Sequence, residues 1–247
     1  MRIAVISDVH GNLLALEAVL AAIAADGADL TVNLGDLLSG YGQPARTADR
    51  LIAAGLATVR GNHERQVLTF DADKMGMADR LTSAVITAEH RDWMASLPLT
   101  LSPAPCVLAF HGTPTDDLQY LLHTVDPSGA RAATEDEVVR RLGDVSGYRL
   151  LLCGHTHLPG WLRLPDGVLV VNPGSVGWPA YADDEPYPHR MEAGSPHARY
   201  ALVDDASGDW EVSLRSVEYR WEDAAVLAEG FGRADVAYAM RTGRVPA

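Results

Sequence analysis

Seven side chains of metal-binding type stand in five short segments, and most of these segments directly follow an apolar run typical of a β-strand. Open α/β sheets place their ligand sites at the carboxyl ends of strands, where such segments meet. The candidate ligands are Asp8, His10, Asp36, Asn62, His111, His155 and His157. A single histidine at a strand end is usually structural, but five such segments in one chain predict a shared metal centre.

The five segments also stand in a characteristic order. They read D-x-H at residues 8–10, G-D at 35–36, G-N-H-E at 61–64, a histidine at 111 and G-H-x-H at 154–157. The complete series is far more specific than any one motif in it. It resembles the calcineurin-like metallophosphoesterase family over residues 1 to about 176. Residues 6–12 and 172–176 are most similar to its small bacterial phosphodiesterases and dinucleoside-polyphosphate hydrolases.

The resemblance implies a fold and a division of the ligands between two metal ions. The implied fold is a four-layer α-β-β-α sandwich with two mixed β-sheets. Asp36 takes the bridging place between the ions. One ion is completed by Asp8, His10 and His157, and the other by Asn62, His111 and His155. The resemblance also places His63 beside the leaving group, which makes it the candidate catalytic proton donor.

The ligand types limit the choice of metal. Imidazole, carboxylate and one amide, without a thiolate, suit Mn, Fe, Co, Ni or Zn, with Mn favoured, and are too nitrogen-rich for Ca or Mg. Two divalent ions bring four positive charges, and Asp8, Asp36 and a bridging hydroxide remove three. The site would thus keep about one positive charge for a phosphate oxyanion. An aspartate in place of Asn62 would cancel that charge.

These residues predict a phosphoesterase in which a metal-bridging hydroxide attacks phosphorus and His63 protonates the leaving oxygen. We expect a small phosphodiester or nucleotide-like substrate. A phosphomonoesterase, a protein phosphatase and a non-catalytic interaction protein on the same fold are the alternatives, and the last would be expected to lack ligands or His63. Glu64 is left open between orienting a ligand and orienting His63.

Composition excludes some partners. The formal net charge of −13 over 247 residues argues against an extended nucleic-acid-binding surface. No apolar stretch is long enough to span a bilayer. The first residues show no small-residue cleavage site, so we expect a cytoplasmic protein. Cys106 and Cys153 both lie in apolar runs and are expected to be buried, reduced thiols. The sequence leaves the oligomeric state open.

The hydrophobic pattern predicts β-α-β-α-β over the first 59 residues, with helices over 12–25 and 44–54. Residues 64–96 read as mostly helical, 114–133 as irregular and 134–142 as a short helix. Strands at 161–164, 168–171, 199–204 and 209–217 suggest an antiparallel second half. We expect a single domain over residues 1–247, with a loop insertion at about 178–198 and a C-terminal helical tail.

The 178–198 segment is the part that the family resemblance does not explain. It holds Trp178, Tyr181 and Tyr187, which could stack on a flat substrate group. It also holds His189 and His197, for which a third metal, a substrate contact and simple solvation are all open. Two further histidines are expected outside the metal site: His90 at the surface of a helix, and His123 in a structural position, with contact to the substrate as the alternative.

Overall fold

The computed structural model describes residues 1–247, and its first part alternates strands with helices as the sequence predicts. The elements are β1 (Arg2–Ile6), α1 (Leu13–Asp26), β2 (Leu30–Asn33), α2 (Pro44–Ala54) and β3 (Ala57–Thr58). The side chain of Asn12 caps α1 by accepting a hydrogen bond from the N–H of Ala15 at 3.1 Å. Pro44 occupies the first turn of α2, where a missing N–H does no harm.

The predicted helical run over 64–96 is three helices. They are α3 (Asn62–Thr69), α4 (Met77–Val85) and α5 (Ala88–Ser96), followed by β4 (Thr100–Leu101) and β5 (Val107–Phe110). The side chain of Thr87 caps α5 by accepting from the N–H of His90. None of the helices in the chain is both long and apolar enough to cross a bilayer.

The prediction of irregular structure over 114–133 was wrong in part. This stretch contains a hairpin, β6 (His123–Asp126) and β7 (Gly129–Ala132), which leads into α6 (Glu135–Leu142). The hairpin has no apolar alternation because it is not built on the core. Instead the guanidinium of Arg141 on α6 donates to the backbone carbonyls of Tyr120, Leu121 and His123 at 2.8–3.1 Å.

The second part of the chain is mostly antiparallel, as predicted, apart from one segment. It comprises β8 (Leu150–Leu152), β9 (Pro159–Arg163), β10 (Leu169–Pro173), β11 (Ala180–Asp183), β12 (His189–Glu192), β13 (Ala198–Asp204), β14 (Glu211–Val217), α7 (Trp221–Gly230) and α8 (Ala234–Thr242). The expected loop at 178–198 is therefore wrong: β11 and β12 pair as a hairpin, with Tyr181 opposite Met191. Its prolines and acids cluster at the exposed tip and mask the strand signal.

Ten strands form two mixed sheets. The first has the order β14-β13-β1-β2-β3 and the second the order β4-β5-β8-β10-β9. In the first sheet β1, β2 and β3 are parallel, and in the second β5, β8 and β10 are parallel. The carboxyl ends of these parallel strands carry the segments singled out in the sequence.

Alternate residues of the strands define the layers. Val5 and Val32 of the first sheet share one hydrophobic cluster with Ala109 and Leu152 of the second, so these faces pack together. On the opposite faces, Ala4 and Ile6 cluster with Leu16 and Val19 of α1, and Leu151 and Phe110 cluster with Val138 of α6. Two mixed sheets with helices packed on their outer faces are consistent with the layered α/β fold that the family resemblance implies.

Candidate metal centre and active site

The candidate ligands lie in loops that leave the strand ends in an unusual backbone conformation. Six non-glycine residues have positive φ, and five of them are candidate ligands. These five are Asp8, His10, Asp36, His155 and His157, with φ between 50° and 69°. L-residues adopt this left-handed conformation at a cost, and such strain is concentrated at functional sites.

Close packing of two loops brings the ligands of β2 and β3 together. A Cβ on Gly35, whose φ is +96°, would lie 2.5 Å from the backbone nitrogen of Gly61. A Cβ on Gly61 would lie 2.2 Å from Oδ1 of Asp36. Glycine at both positions thus allows the loop that carries Asn62 to approach the loop that carries Asp36.

The structure gathers the predicted ligands into two groups. Asp8, His10 and His157 form one, and Asp36, His111 and His155 form the other; within each, the potential ligand atoms lie within 4.8 Å of one another. Asn62 joins the second group, because its Oδ1 lies 3.1 Å from Nε2 of His111. Six of the seven residues are buried and His155 is half-buried.

Each of the four histidine ligands has an inner ring nitrogen, which faces the other ligands, and an outer ring nitrogen, which contacts a backbone carbonyl. Nδ1 of His10 donates to Ser39 at 2.6 Å, Nδ1 of His111 to Leu34 at 2.7 Å and Nδ1 of His157 to Trp178 at 2.7 Å. Nε2 of His155 donates to Leu118 at 3.0 Å. Since a carbonyl only accepts, these nitrogens carry the hydrogen, and the inner nitrogen of each neutral ring presents a lone pair.

The inner atoms fit a pair of cations. Nε2 of His10 lies 3.0 Å from Nε2 of His157, and Nε2 of His111 lies 3.2 Å from Nδ1 of His155. Oδ1 of Asp8 is buried with no hydrogen-bond partner. Facing lone pairs and an unpartnered carboxylate oxygen are unfavourable alone, but they are a suitable donor set for two divalent transition metals.

The pKa shifts point the same way. Burial acts to lower the pKa of His111, but the adjacent Asp36 outweighs it and raises the pKa to about 10. Burial, with His157 nearby, lowers the pKa of His10 to about 3. Burial acts to raise the pKa of Asp36, but His111 and His63 hold it well below its usual value. The buried carboxylates therefore require positive charge at the inner nitrogens, which a proton or a metal ion can supply.

His63 stands beside this centre with one nitrogen free of protein partners. Its Nδ1 donates to Oδ1 of Asp79 at 2.7 Å, and its ring centroid lies 5.3 Å from that of His10. The side chain is 25% exposed. Burial acts to lower its pKa, but Asp36 and then Asp79 raise it to about 9. His63 can thus carry a proton at neutral pH.

Sequence reasoning missed Asp79. It lies in the first turn of α4 and is almost fully buried. The available signal was an acid at the start of a helix whose neighbours Ala78 and Thr82 mark the buried face. An aspartate on a buried face requires a polar partner, and His63 is that partner.

Glu64 orients a ligand loop rather than His63. Its buried carboxylate accepts hydrogen bonds from the N–H groups of Asp36, Leu37 and Gly61 at 2.8–3.0 Å. These bonds tie the loop after β2 to the start of α3. Of the two roles that the sequence left open for Glu64, the structure therefore favours orienting a ligand, Asp36.

A cavity of about 770 Å³ opens from the metal-binding groups. His10, Asp36, Asn62, His63, His155 and His157 line its inner end. One wall comes from the β6–β7 hairpin and the elements on either side of it, through Tyr120, His123 and Arg141. The other comes from the β11–β12 hairpin and the residues just before it, through Tyr181 and Trp178. Tyr187 is not among the lining residues and is exposed at the hairpin tip.

The burial of the other histidines and of the two cysteines agrees only in part with the predictions. His90 was expected at the surface but is buried, with Nε2 bonded to Asp49. His189 is also buried, and His197 is half-buried beside Trp221. Cys153 is buried as expected, but Cys106 is exposed, because it lies in a turn with φ of 60° before β5 rather than in the strand.

Comparison with known proteins agrees with this geometry. Residues 1–189 match the calcineurin-like phosphoesterase superfamily domain. The chain belongs to this superfamily. An uncharacterized protein of Methanocaldococcus jannaschii is 30% identical over 243 residues, which cover 88% of this chain and 87% of that protein. The phosphodiesterase YfcE of Escherichia coli K12 is 30% identical over 190 residues, covering 72% and 81%.

Solved structures extend the similarity to the whole fold. The metallophosphoesterase of Sphaerobacter thermophilus superposes with a TM-score of 0.75 at 25% identity, covering 98% of this chain and 100% of that one. The expected mixed α/β metallophosphoesterase fold is confirmed, and this calcineurin-like phosphoesterase is a hydrolase of phosphate esters.

Proposed function

We propose that this phosphoesterase is a dinuclear-metal-dependent phosphodiesterase that acts on a small, nucleotide-like substrate. One observation carries the proposal: within each ligand group, the inner nitrogens of two histidines face each other, at 3.0 Å in one group and 3.2 Å in the other. In addition, Oδ1 of Asp8 is buried and has no hydrogen-bond partner. No hydrogen-bonding arrangement of neutral rings satisfies this set of acceptors. Two cations satisfy all of them at once.

Asp8, His10 and His157 would hold one ion, and Asn62, His111 and His155 the other, with Asp36 between them. Asp36 is suited to this place because its carboxylate acts electrostatically on both groups, raising the pKa of His111 and opposing the fall in the pKa of His10. When bound, divalent ions supply charge for a phosphate oxyanion and generate hydroxide from water near neutral pH. The donor set suits Mn, Fe, Co, Ni or Zn, and Mn is the ion that we propose.

His63 would donate the proton that the leaving oxygen requires. Asp79 holds Nδ1, so the ring presents Nε2 as the donor, and the raised pKa keeps the ring protonated at neutral pH. A proton donor positioned in this way contributes roughly 10²–10⁴-fold to the rate. His63 lines the cavity next to Asn62, within the region where the substrate phosphate would bind.

The cavity supports a diester rather than a bare phosphate monoester. Its volume of about 770 Å³ extends well beyond the metal-binding residues, toward Arg141 and Trp178. A second alcohol arm of nucleotide size fits such a space. The match to the phosphodiesterase YfcE over 72% of this chain supports the same choice. We propose that residues 1–247 form one domain, because β13 and β14, which lie beyond the family match, complete the first sheet.

The experiment is hydrolysis of bis-p-nitrophenyl phosphate and p-nitrophenyl phosphate by metal-analysed protein, stripped and then reloaded with Mn, Fe, Co, Ni or Zn in turn. We expect a higher kcat/KM for the diester and no turnover by the stripped protein. A product-resolved screen of nucleotides, cyclic nucleotides and dinucleoside polyphosphates then identifies the substrate. A strong preference for the monoester would reject the diesterase proposal.

A further inference from the structure

The wall of the cavity next to His155 and His157 contains a series of hydrogen bonds in which no side chain of a candidate metal ligand takes part. The hydroxyl oxygens of Tyr181 and Tyr120 lie 2.6 Å apart, and that of Tyr120 lies 3.1 Å from Nε2 of His189. Nδ1 of His189 lies 2.8 Å from the carbonyl oxygen of Tyr187. Tyr120 and Tyr181 both line the cavity, while His189 is buried behind them.

The last bond in this series, between His189 and the carbonyl of Tyr187, determines which atom donates in each of the others. The Tyr187 carbonyl can only accept, so Nδ1 of His189 carries the hydrogen and Nε2 of the neutral ring accepts. The Tyr120 hydroxyl must then donate to His189. A contact of 2.6 Å between the two hydroxyls requires a hydrogen between them, and only Tyr181 can supply it. The carbonyl oxygen of His155, 3.4 Å from the Tyr181 hydroxyl, is the more distant and weaker acceptor for that hydrogen. Both hydroxyl hydrogens are therefore used within the wall.

What remains available to a substrate is acceptor capacity. The oxygen of Tyr181 keeps a free lone pair. Burial raises the pKa of Tyr120 to about 12 and raises that of Tyr181 well above its usual value, so both stay neutral. The adjoining part of the cavity also offers hydrogen-bond acceptors, the carboxylates of Asp183 and Glu185.

Two arginines also line the cavity, Arg141 and Arg233, but neither is available to bind a substrate phosphate. The guanidinium of Arg141 is directed to three backbone carbonyls. Arg233 is paired with Asp235 at 2.8 Å and lies over the ring of Tyr41 at 4.5 Å. Neither is free to receive a second phosphate, whereas the acceptors are free to receive a donor.

We propose that Tyr120 and Tyr181 make the enzyme select a phosphodiester whose second alcohol arm carries a hydrogen-bond donor, a hydroxyl or an amino group. This proposal rests on the proposed phosphodiesterase function and specifies its substrate class. Tyr181 packs edge-on to the ring of His157, with centroids 4.7 Å apart, so a donor on the arm next to a metal-held phosphate would meet it. A sugar hydroxyl of a nucleoside and a hydroxyl of a short polyol both meet this requirement.

Two isomeric substrates test it: 3-hydroxypropyl p-nitrophenyl phosphate, which has a donor, and 2-methoxyethyl p-nitrophenyl phosphate, which has only an acceptor. We expect wild-type kcat/KM to favour the hydroxyl ester by roughly three- to tenfold, the value of one net hydrogen bond. Tyr181→Phe should bring the ratio close to one. Because both rates come from one preparation, a loss of activity common to both substrates cancels.

Tyr120→Phe provides a second and different change. Removing its oxygen takes away the nearer acceptor of the Tyr181 hydroxyl, so the hydrogen can turn to the cavity and donate to the methoxy ester, in competition with the carbonyl oxygen of His155 at 3.4 Å. The ratio should fall through a gain on that ester. Tyr187→Phe is the matched control, since only its backbone carbonyl takes part, and it should keep the wild-type ratio.

A second pair, the p-nitrophenyl esters of thymidine 5′-phosphate and of its 3′-deoxy analogue, distinguishes a nucleoside from a short polyol as the preferred arm. A preference in either pair that Tyr181→Phe removes supports the proposal. A wild-type ratio near one in both pairs, or a ratio that both tyrosine variants leave unchanged, overturns it. Absence of bis-p-nitrophenyl phosphate hydrolysis by the metal-loaded wild type would instead reject the phosphodiesterase function itself.

Discussion

The buried carboxylate of Asp79 accepts a hydrogen bond from Nδ1 of His63 at 2.7 Å. The two residues lie on different helices, α3 and α4, so the packing of these helices determines how His63 faces the cavity. The contact fixes the tautomer of the ring when it is neutral and stabilises its positive charge when it is protonated. The proposed proton transfer from His63 therefore depends on Asp79 as well.

Asp79→Asn should move the alkaline limb of the kcat/KM profile to lower pH. His63 must be protonated to act as an acid, so activity falls as pH rises through its pKa. Asp36 and Asp79 raise that pKa to about 9 against the effect of burial. Loss of the Asp79 charge should lower the pKa by about 1 unit or more. Asp49→Asn, which alters the close His–Asp contact at His90 outside the site, is the control. An unmoved alkaline limb would contradict the assignment.

His63→Ala should lower turnover while leaving the metal content unchanged, because no ligand is removed. For esters with alkyl leaving groups we expect a loss of roughly 10²–10⁴-fold. The loss should be much smaller for p-nitrophenolate, which leaves without a proton. Kinetics on both classes, together with metal analysis, check this. Equal losses on the two classes would show that His63 acts on the nucleophile or on the phosphate.

Asp36→Asn should retain less metal than Asn62→Ala. Asp36 is one of only two carboxylates among the candidate ligands, and its proposed place is between both ions. Asn62 contributes one neutral oxygen to one group. Metal analysis of the purified variants after identical reloading decides the order. Full occupancy of both sites in the Asp36 variant is incompatible with a bridging role.

Glu64→Gln should destabilise the protein by about 1–3 kcal/mol, because an amide oxygen and an NH₂ group cannot together accept from three backbone N–H groups. The buried donors of Asp36, Leu37 and Gly61 would be left partly unpaired. Urea denaturation of metal-stripped protein measures the effect without the contribution of bound metal. Glu17→Gln, at an exposed ion pair with Arg50, is the control and should change stability little. A Glu64 variant as stable as this control would remove the role assigned to its carboxylate.

The sequence was sufficient for the parts of the site that short-range patterns encode. Each ligand follows a strand by a few residues, so strand prediction and motif order were enough to assemble Asp8, Asp36 and His155. The alternate burial of Val5 and Ile6 on opposite faces of β1 is likewise local. Helix starts at Asn12 and Pro44 followed from capping and proline chemistry.

What sequence reasoning missed depends on contacts between distant residues. His90 is buried because Asp49, 41 residues away, satisfies its ring. The 178–198 segment was expected to be a loop, yet Trp178 binds His157 through its carbonyl and Tyr181 contacts Tyr120, 61 residues away. Neither strand of that hairpin is predictable from periodicity, since its stability comes from these long-range partners.

The left-handed backbone of the five ligands has a consequence for how this sequence could change. At positions 8, 10, 36, 155 and 157, glycine would relieve backbone strain, by about 1–2 kcal/mol at an ordinary L-residue and by less at the two aspartates, whose short side chains tolerate this conformation. A library of variants selected only for resistance to heat, without added metal, should therefore lose its ligands there before it changes the interior of the sheets. The amino acids at these five positions are retained against folding stability, and their persistence in a lineage would record continued selection for the bound ions.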